Sequence, residues 1–245
     1  MTYSTLFFTL AAMFCGTASA GTGDEHLSQV DARANAPSDT WFEFKAVTQE
    51  PGKAAREMAF EVQNMGTKRL VNFSAPSDMK GTRVLVLSRK QMWVYLPAYK
   101  KVRRVASHVK QQGFMGTMYS DEDMSTSHYA KAYEAETIHE DSNSVTLKLS
   151  PRDKSGSGYG WLEMVVRRDI MLPSEIRFFN GDGRHVKTEK RPEYNCDGDV
   201  CTPKTMKMVD HTRGDAWTSL SAEARKVNQG ISESVFSVRN LERGR

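Results

Sequence analysis

The stretch of sequence that decides the fold is Met92–Met124, MWVYLPAYKKVRRVASHVKQQGFMGTMYSDEDM. Its opening residues, Trp93 to Leu96, are aromatic and branched types that suit a pleated, half-buried surface. Pro97 ends that run, since proline has no N–H to give to a ladder. A basic cluster follows (Lys100, Lys101, Arg103, Arg104), and then a Gly113-Phe114-Met115-Gly116 turn. The stretch closes on Ser120-Asp121-Glu122-Asp123, a hydroxyl followed by acids, which suits the exposed N–H groups of a helix start. Nothing in it has the make-up of a catalytic constellation. It reads as an apolar binding surface with a hinge beside it.

On either side the period is that of strands. Phe42, Phe44 and Ala46 alternate with Glu43 and Lys45, and Met58, Phe60 and Val62 alternate with Ala59 and Glu61. Thr67 to Ser74, Thr82 to Ser88 and Gln91 to Leu96 continue the pattern. In the second half, Val145 to Leu149, Gly160 to Asp169, Ser174 to Phe179, His185 to Lys190, Cys201 to Val209 and Ala216 to Val227 read as strands, with Val235 to Val238 as a last short one. Asn180-Gly181-Asp182-Gly183 is a hairpin turn, because these residues tolerate positive φ. Roughly ten or more strands at meander spacing predict an antiparallel sheet curled toward a barrel.

Two segments depart from that rhythm. His26 to Asn35 predicts a short amphipathic helix with Leu27, Val30 and Ala34 on one side. Gly113 to Ala135 clusters Met, Tyr and acidic residues without alternation. A helix capped by Ser120 or Asp121 and running through Met124, Tyr129 and Tyr133 is expected there. Such a helical insertion serves as a cover over the concave face of a curled sheet.

The first twenty residues read as a signal peptide, with Leu6 to Met13 as the apolar core and Ala18-Ser19-Ala20 as the cleavage site. Met1 to Thr5 carry no Lys or Arg, and Ala12-Met13-Phe14 before Cys15 is a poor lipobox. The expectation is a soluble, exported protein with a single domain over residues 21–245. Of three cysteines, Cys196 and Cys201 remain after cleavage, bracketing Asp197-Gly198-Asp199-Val200. An even count in an exported chain favours a disulfide stapling a hairpin end. The spacing is not C-x-x-C, and no second Cys/His pair stands nearby for a metal. The formal net charge of +4 is too modest to argue for nucleic acid.

The chain offers little for an enzyme, and no catalytic residue, metal or cofactor is assigned. His26, His108, His128, His139, His185 and His211 form no HExxH and no recognisable triad. Asn195, Asp197 and Asp199 mimic the start of a calcium loop without its glycine or distal Glu. Gly156, Gly158 and Gly160 are followed by a strand, unlike a phosphate loop.

Trp93-Val94-Tyr95-Leu96-Pro97, Lys100-Lys101-Val102-Arg103-Arg104, Gly113-Phe114-Met115-Gly116 and Asp121-Glu122-Asp123 together resemble the "LYLPALKKVRRI … FMGSDFSYEDL" signature of the outer membrane lipoprotein-sorting proteins, in the LolA-like superfamily. The resemblance extends to Val30-Asp31-Ala32-Arg33, to Phe73-Ser74-Ala75-Pro76 with Lys80-Gly81-Thr82, and to Phe236-Ser237-Val238-Arg239-Asn240-Leu241. It implies a mainly β (α+β) fold, a strongly curved antiparallel sheet forming an unclosed β-barrel with a helical lid over the concave face. It also implies a periplasmic carrier of lipoprotein acyl chains or lipid. Relatives of this branch are associated with RND-type inner-membrane exporters, and cargo would pass toward an outer-membrane acceptor. A sensor or adaptor of the RseB kind, regulating a membrane partner, is the alternative. The chain departs from the signature in Thr117-Met118-Tyr119, where an acidic residue often follows the turn, and in its cysteine pair.

For such a ligand the candidate cavity and lid residues are Trp93, Leu96, Phe114, Met115, Met118 and Met124. A lipid tail gains on the order of 0.8 kcal/mol per CH₂ removed from water, and Met supplies lining that adapts its shape. Each of these residues taken singly is better explained as core; the cluster beside Gly113 and Gly116 favours a movable cover. Lys100, Lys101, Arg103 and Arg104 have two readings, a contact to headgroups or an acidic partner, or the solvated face of a strand pair.

Overall fold

A computed structural model describes residues 22–88, 90–105 and 113–243. The expected signal peptide lies outside the described residues. The alternating pattern builds thirteen antiparallel strands: β1 (Thr40–Gln49), β2 (Arg56–Met65), β3 (Lys68–Ala75), β4 (Arg83–Ser88), β5 (Gln91–Leu96), β6 (Lys101–Arg104), β7 (Tyr133–Glu140), β8 (Ser144–Pro151), β9 (Trp161–Arg167), β10 (Leu172–Phe179), β11 (His185–Asp197), β12 (Val200–Asp210) and β13 (Ala216–Val227). Their order in one sheet is β6-β5-β4-β3-β2-β1-β13-β12-β11-β10-β9-β8-β7. The sheet is not closed: β6 and β7 are its two edges. Consecutive strands are sheet neighbours everywhere except between those two. The connection from β6 to β7 therefore leads from one edge of the sheet to the other, and it carries the insertion predicted as a lid.

Period-two alternation gives each strand one inward row. Phe42, Phe44 and Ala46 of β1, Met58, Phe60 and Val62 of β2, and Leu162, Met164 and Val166 of β9 all enter one continuous core. Burying each large side chain contributes roughly 1.5–3 kcal/mol, so register is strongly specified. The opposite face of β4 and β5 carries a smaller cluster, Leu85 with Phe236 and Leu241, joined by Trp93 and Tyr95. Cys196 and Cys201 face each other across the β11–β12 hairpin and form a disulfide.

The helices fall close to where the sequence placed them, with corrections. α1 spans Gly23–Ala34 and begins three residues earlier than expected, because Thr22 and Glu25 form a capping box. The insertion is two short helices, α2 (Asp121–Ser125) and α3 (Tyr129–Ala132). Of the two candidate caps, Ser120 fills the role, with Asp123 returning the bond to its N–H. The helix stops early because the Ser125 and Thr126 hydroxyls both donate back to the Glu122 carbonyl, a local alternative to continuing the ladder. Tyr133, expected on a helix, instead opens the edge strand β7. Val235–Val238 is not a strand: a 3₁₀ turn covers Glu233–Val235 and a helix, α4, covers Val238–Arg243. Ser237 starts that helix by accepting from the Asn240 N–H, and Leu241 packs under it on the outer cluster.

Asp39 ties the start of β1 to the chain leaving β13. Its carboxylate accepts from the N–H groups of Gln229 (2.8 Å) and Gly230 (2.9 Å) and is 2 % exposed. Burial pushes its pKa up, but these donors and Ser38 outweigh burial and hold it below the usual carboxylate range. A depressed folded-state pKa stabilises above the unfolded value, near 3.9, and that stabilisation fades as pH falls through the folded value. Asp39→Asn should therefore lower stability by about 1–2 kcal/mol at pH 7. The deficit should shrink below pH ~3 in paired thermal melts. An equal deficit at both pH values would remove the carboxylate charge from the account.

Candidate functional site

The insertion sits against the inward face because both its ends are anchored. At Gly113 a Cβ would stand 2.1 Å from the Thr117 carbonyl oxygen, so only glycine lets the turn close there. Gly116 has φ +80°, open to glycine at little cost. Phe114 N–H donates to the Tyr119 carbonyl (2.7 Å) and Thr117 Oγ1 donates to the Phe114 carbonyl (2.7 Å). Behind the turn, Met118 N–H donates to Thr218 Oγ1 (2.9 Å) on β13. α3 is capped from outside: the Asp31 carboxylate of α1 accepts from the N–H groups of Tyr129 and Ala130, each at 2.8 Å. Burial raises the Asp31 pKa more than those two bonds lower it.

Between this cover and the sheet lies a cavity of about 290 Å³, at the small end of the ~300–1,000 Å³ usual for ligand pockets. Its wall is a run of phenylalanines: Phe42 to Phe44 (ring centroids 5.2 Å), Phe44 to Phe60 (5.8 Å) and Phe60 to Phe73 (5.2 Å). Phe114, Met115 and Met124 close it from the lid side.

Polar groups line the cavity too, among them Glu189 and Arg191; Lys187 stands beside them on β11 without lining it. Lys187, Glu189 and Arg191 follow one another at every second residue along β11, where a core strand would carry apolar side chains. Lys187 Nζ pairs with Asp123 Oδ2 at 3.2 Å, with only 5 % and 4 % of the two side chains exposed. Asp123 also accepts from Tyr159 Oη (2.9 Å). Burial, then the Asp123 charge, pushes the Tyr159 hydroxyl pKa well above its ordinary value. Arg191 Nη2 donates to Glu189 Oε2 at 2.9 Å. Burial works against the Arg191 charge, yet the Glu189 carboxylate together with Tyr129 and Tyr194 outweighs it and holds that guanidinium well above its ordinary pKa. Tyr129 is pushed up to about 12 by burial, partly offset by Arg191. Arg69, in line with Val71 and Phe73 on β3, donates from Nε to Asn64 Oδ1 (2.7 Å) and from Nη1 to the Met124 carbonyl (2.6 Å), which ties the lid to the sheet.

The predicted residues divide. Phe114, Met115 and Met124 meet at the cavity. Met118 is 1 % exposed and packs in the core without lining the cavity. Leu96 shares the parity of Met92 and Val94 but does not line it either. Trp93 must be corrected: it has the other parity and packs on the outer cluster with Leu85. Lys100, Lys101, Arg103 and Arg104 are exposed on the β5–β6 edge and line no part of the cavity, with Arg103 over Tyr99 and Arg104 over Trp93, both at 5.9 Å.

The residues that sequence reasoning missed are Arg69, Tyr129, Tyr159, Lys187, Glu189 and Arg191. In sequence, Lys-x-Glu-x-Arg at period two looks like a solvated face. The available signal was its other face, Thr188, Lys190 and Pro192, which is no more apolar. A strand without an apolar face, placed inside a large sheet, has to bury polar groups on one side.

Similar structures share this architecture. An outer membrane lipoprotein-sorting protein domain from Vibrio parahaemolyticus is 24 % identical with a TM-score of 0.83, over 90 % of this chain and 98 % of that one. A DUF1329 family protein from Desulfovibrio piger is 20 % identical with a TM-score of 0.83, over 91 % and 100 %. A LolA superfamily protein from Nitrosomonas europaea is 16 % identical with a TM-score of 0.74, over 90 % and 100 %. No curated protein matches the chain. The model of a family described as uncharacterized protein-like matches residues 66–243. The chain therefore belongs to that family, and its unclosed sheet has the fold of these three structures.

Proposed function

We propose that this protein is a periplasmic carrier that takes an acyl chain of a lipoprotein or lipid into the cavity and hands it on toward the outer membrane. The observation that carries the reading is the phenylalanine wall facing Phe114, Met115 and Met124 across an open space, under a cover made of short, separately capped helices. A tail entering that space gains its transfer free energy against aromatic area and adaptable methionine. Entry requires the cover to lift, which breaks the Arg69 bond to the Met124 carbonyl. No covalent chemistry is involved. An RND-type inner-membrane exporter as donor and an outer-membrane acceptor complete the proposed route. Net flow requires that the acceptor bind the cargo more tightly, because a soluble binder alone cannot set a direction.

Native mass spectrometry of protein recovered from the periplasm tests the reading. A co-purifying acylated species is expected; protein that is empty in every preparation would remove the ligand. Transfer of a fluorescent acyl lipid from the loaded protein to acceptor vesicles is expected next. Binding without transfer would replace the carrier with the sensor reading.

A further inference from the structure

Apolar area alone does not describe this cavity, because charged groups line it too, and their pairing is uneven. Asp123 is matched by Lys187, which lies beside the cavity without lining it, and Arg191 by Glu189. Glu122 accepts from Ser157 Oγ (2.8 Å) and Gly158 N–H (2.7 Å), and Asp39 from backbone donors. Arg69 is the exception. Its two hydrogen bonds go to neutral acceptors, an amide and a carbonyl, and no carboxylate pairs with it among the described residues. Two N–H groups from that planar fork are thus committed, and others remain to meet a further acceptor. Nearby Arg191 is a second cation, and its Nε is buried without a hydrogen-bond partner among the described residues. Burial and the like charge of Arg191 lower the Arg69 pKa, with Tyr129 opposing them.

A guanidinium partly withdrawn from water and without a counter-charge is costly to keep. It fits a site in which the counter-charge arrives with the ligand. Arginine is also the side chain whose fork matches carboxylate and phosphate in two parallel bonds. Arg69 lies two and four residues from Val71 and Phe73 on the same inward row of β3. An acyl chain along the phenylalanine wall would therefore have its head at the guanidinium.

We propose that the cavity selects an anionic amphiphile, an acyl chain ending in a carboxylate or a phosphate, with Arg69 as the seat of its head and Arg191 behind it. The inference rests on the lipid-binding reading of the same cavity and adds the class of head to it.

The test uses the mature protein and four probes at pH 7.5, titrated by calorimetry below micelle formation: lauric acid, lauryl phosphate, lauryl alcohol and inorganic phosphate. For the wild type, at least one of the two anionic amphiphiles should bind about tenfold or more tighter than the alcohol, as one charge-assisted hydrogen bond supplies. Which of them leads identifies the head. Inorganic phosphate alone should bind far more weakly. Arg69→Gln should bring acid, phosphate ester and alcohol within about threefold of one another, whatever common change the loss of the Met124 bond makes to all three. Arg69→Lys, which keeps the charge and loses the fork, should keep part of the preference. Equal wild-type affinities for the three amphiphiles would overturn the proposal and leave lipid binding standing, and that comparison needs no variant to fold. A preference that survives Arg69→Gln, or inorganic phosphate binding as tightly as lauryl phosphate, would also overturn it. Failure of all three amphiphiles to bind would instead overturn the lipid-binding reading itself.

Discussion

Lys187→Met should destabilise the protein by about 3–5 kcal/mol, because it leaves the Asp123 carboxylate buried without its counter-charge. The pair is 3.2 Å apart with both side chains almost fully enclosed. Asp123 keeps two donors in the variant, Ser120 N–H at 2.7 Å and Tyr159 Oη at 2.9 Å, but neither supplies charge. The contrast with a surface pair decides the size. Arg56–Asp78, at 2.9 Å with 42 % and 69 % of the side chains exposed, should be worth no more than about 1 kcal/mol. Adding Asp123→Asn to Lys187→Met should restore a large part of the loss, since an amide has no charge to bury. Urea unfolding of the three variants measures this. A loss below ~1 kcal/mol for Lys187→Met would mean that hydrogen bonds alone satisfy the carboxylate. The pair also joins the lid helix α2 to β11, so its loss should loosen the cover as well as the core.

Met115→Asp should reduce acyl-chain affinity at least about thirtyfold, close to 2 kcal/mol, with a much smaller effect on folding. Met115 holds a left-handed backbone, φ 52° and ψ 31°, a region that aspartate enters more readily than most side chains. The substitution therefore does not strain the turn. It places a charge where an apolar tail would lie, which is costly without a partner. Lauryl alcohol is the suitable probe, because its uncharged head excludes repulsion between like charges. Met115→Leu, which keeps the apolar volume, should bind as the wild type does. Unchanged alcohol affinity in Met115→Asp would take the Gly113–Gly116 turn out of the binding surface.

The strands and the cover were legible for simple reasons. Alternation of Phe, Met and Val with charged residues marks a sheet with one buried face, and Ser120 before three acids marks a helix start. Where the reading fell short, the missing information was an environment. Tyr133–Glu140 has Glu at alternate positions and little apolar content, as a sheet edge can, so nothing in it announces a strand. Phe236 suits a strand or an aromatic plug equally, and the serine at 237 tips it to a helix start only once the outer face of β4 and β5 needs covering. The parity of Trp93 was visible, but which parity faces inward depends on partners far along the chain. The charged row Lys187, Glu189 and Arg191 was hidden for the same reason: its neutralising groups, apart from one another, come from Asp123, more than sixty positions earlier.

In a closed barrel, strand number and stagger fix the diameter. This sheet has two ends, β6 and β7, that are not bonded to each other. Its girth can change by a swing of those ends, with every rung between neighbouring strands intact. The ladder alone therefore does not fix the cavity volume as closure would. If the proposed cargo is bulkier than the cavity, opening of such a sheet would spread its cost over many strands and concentrate it in none.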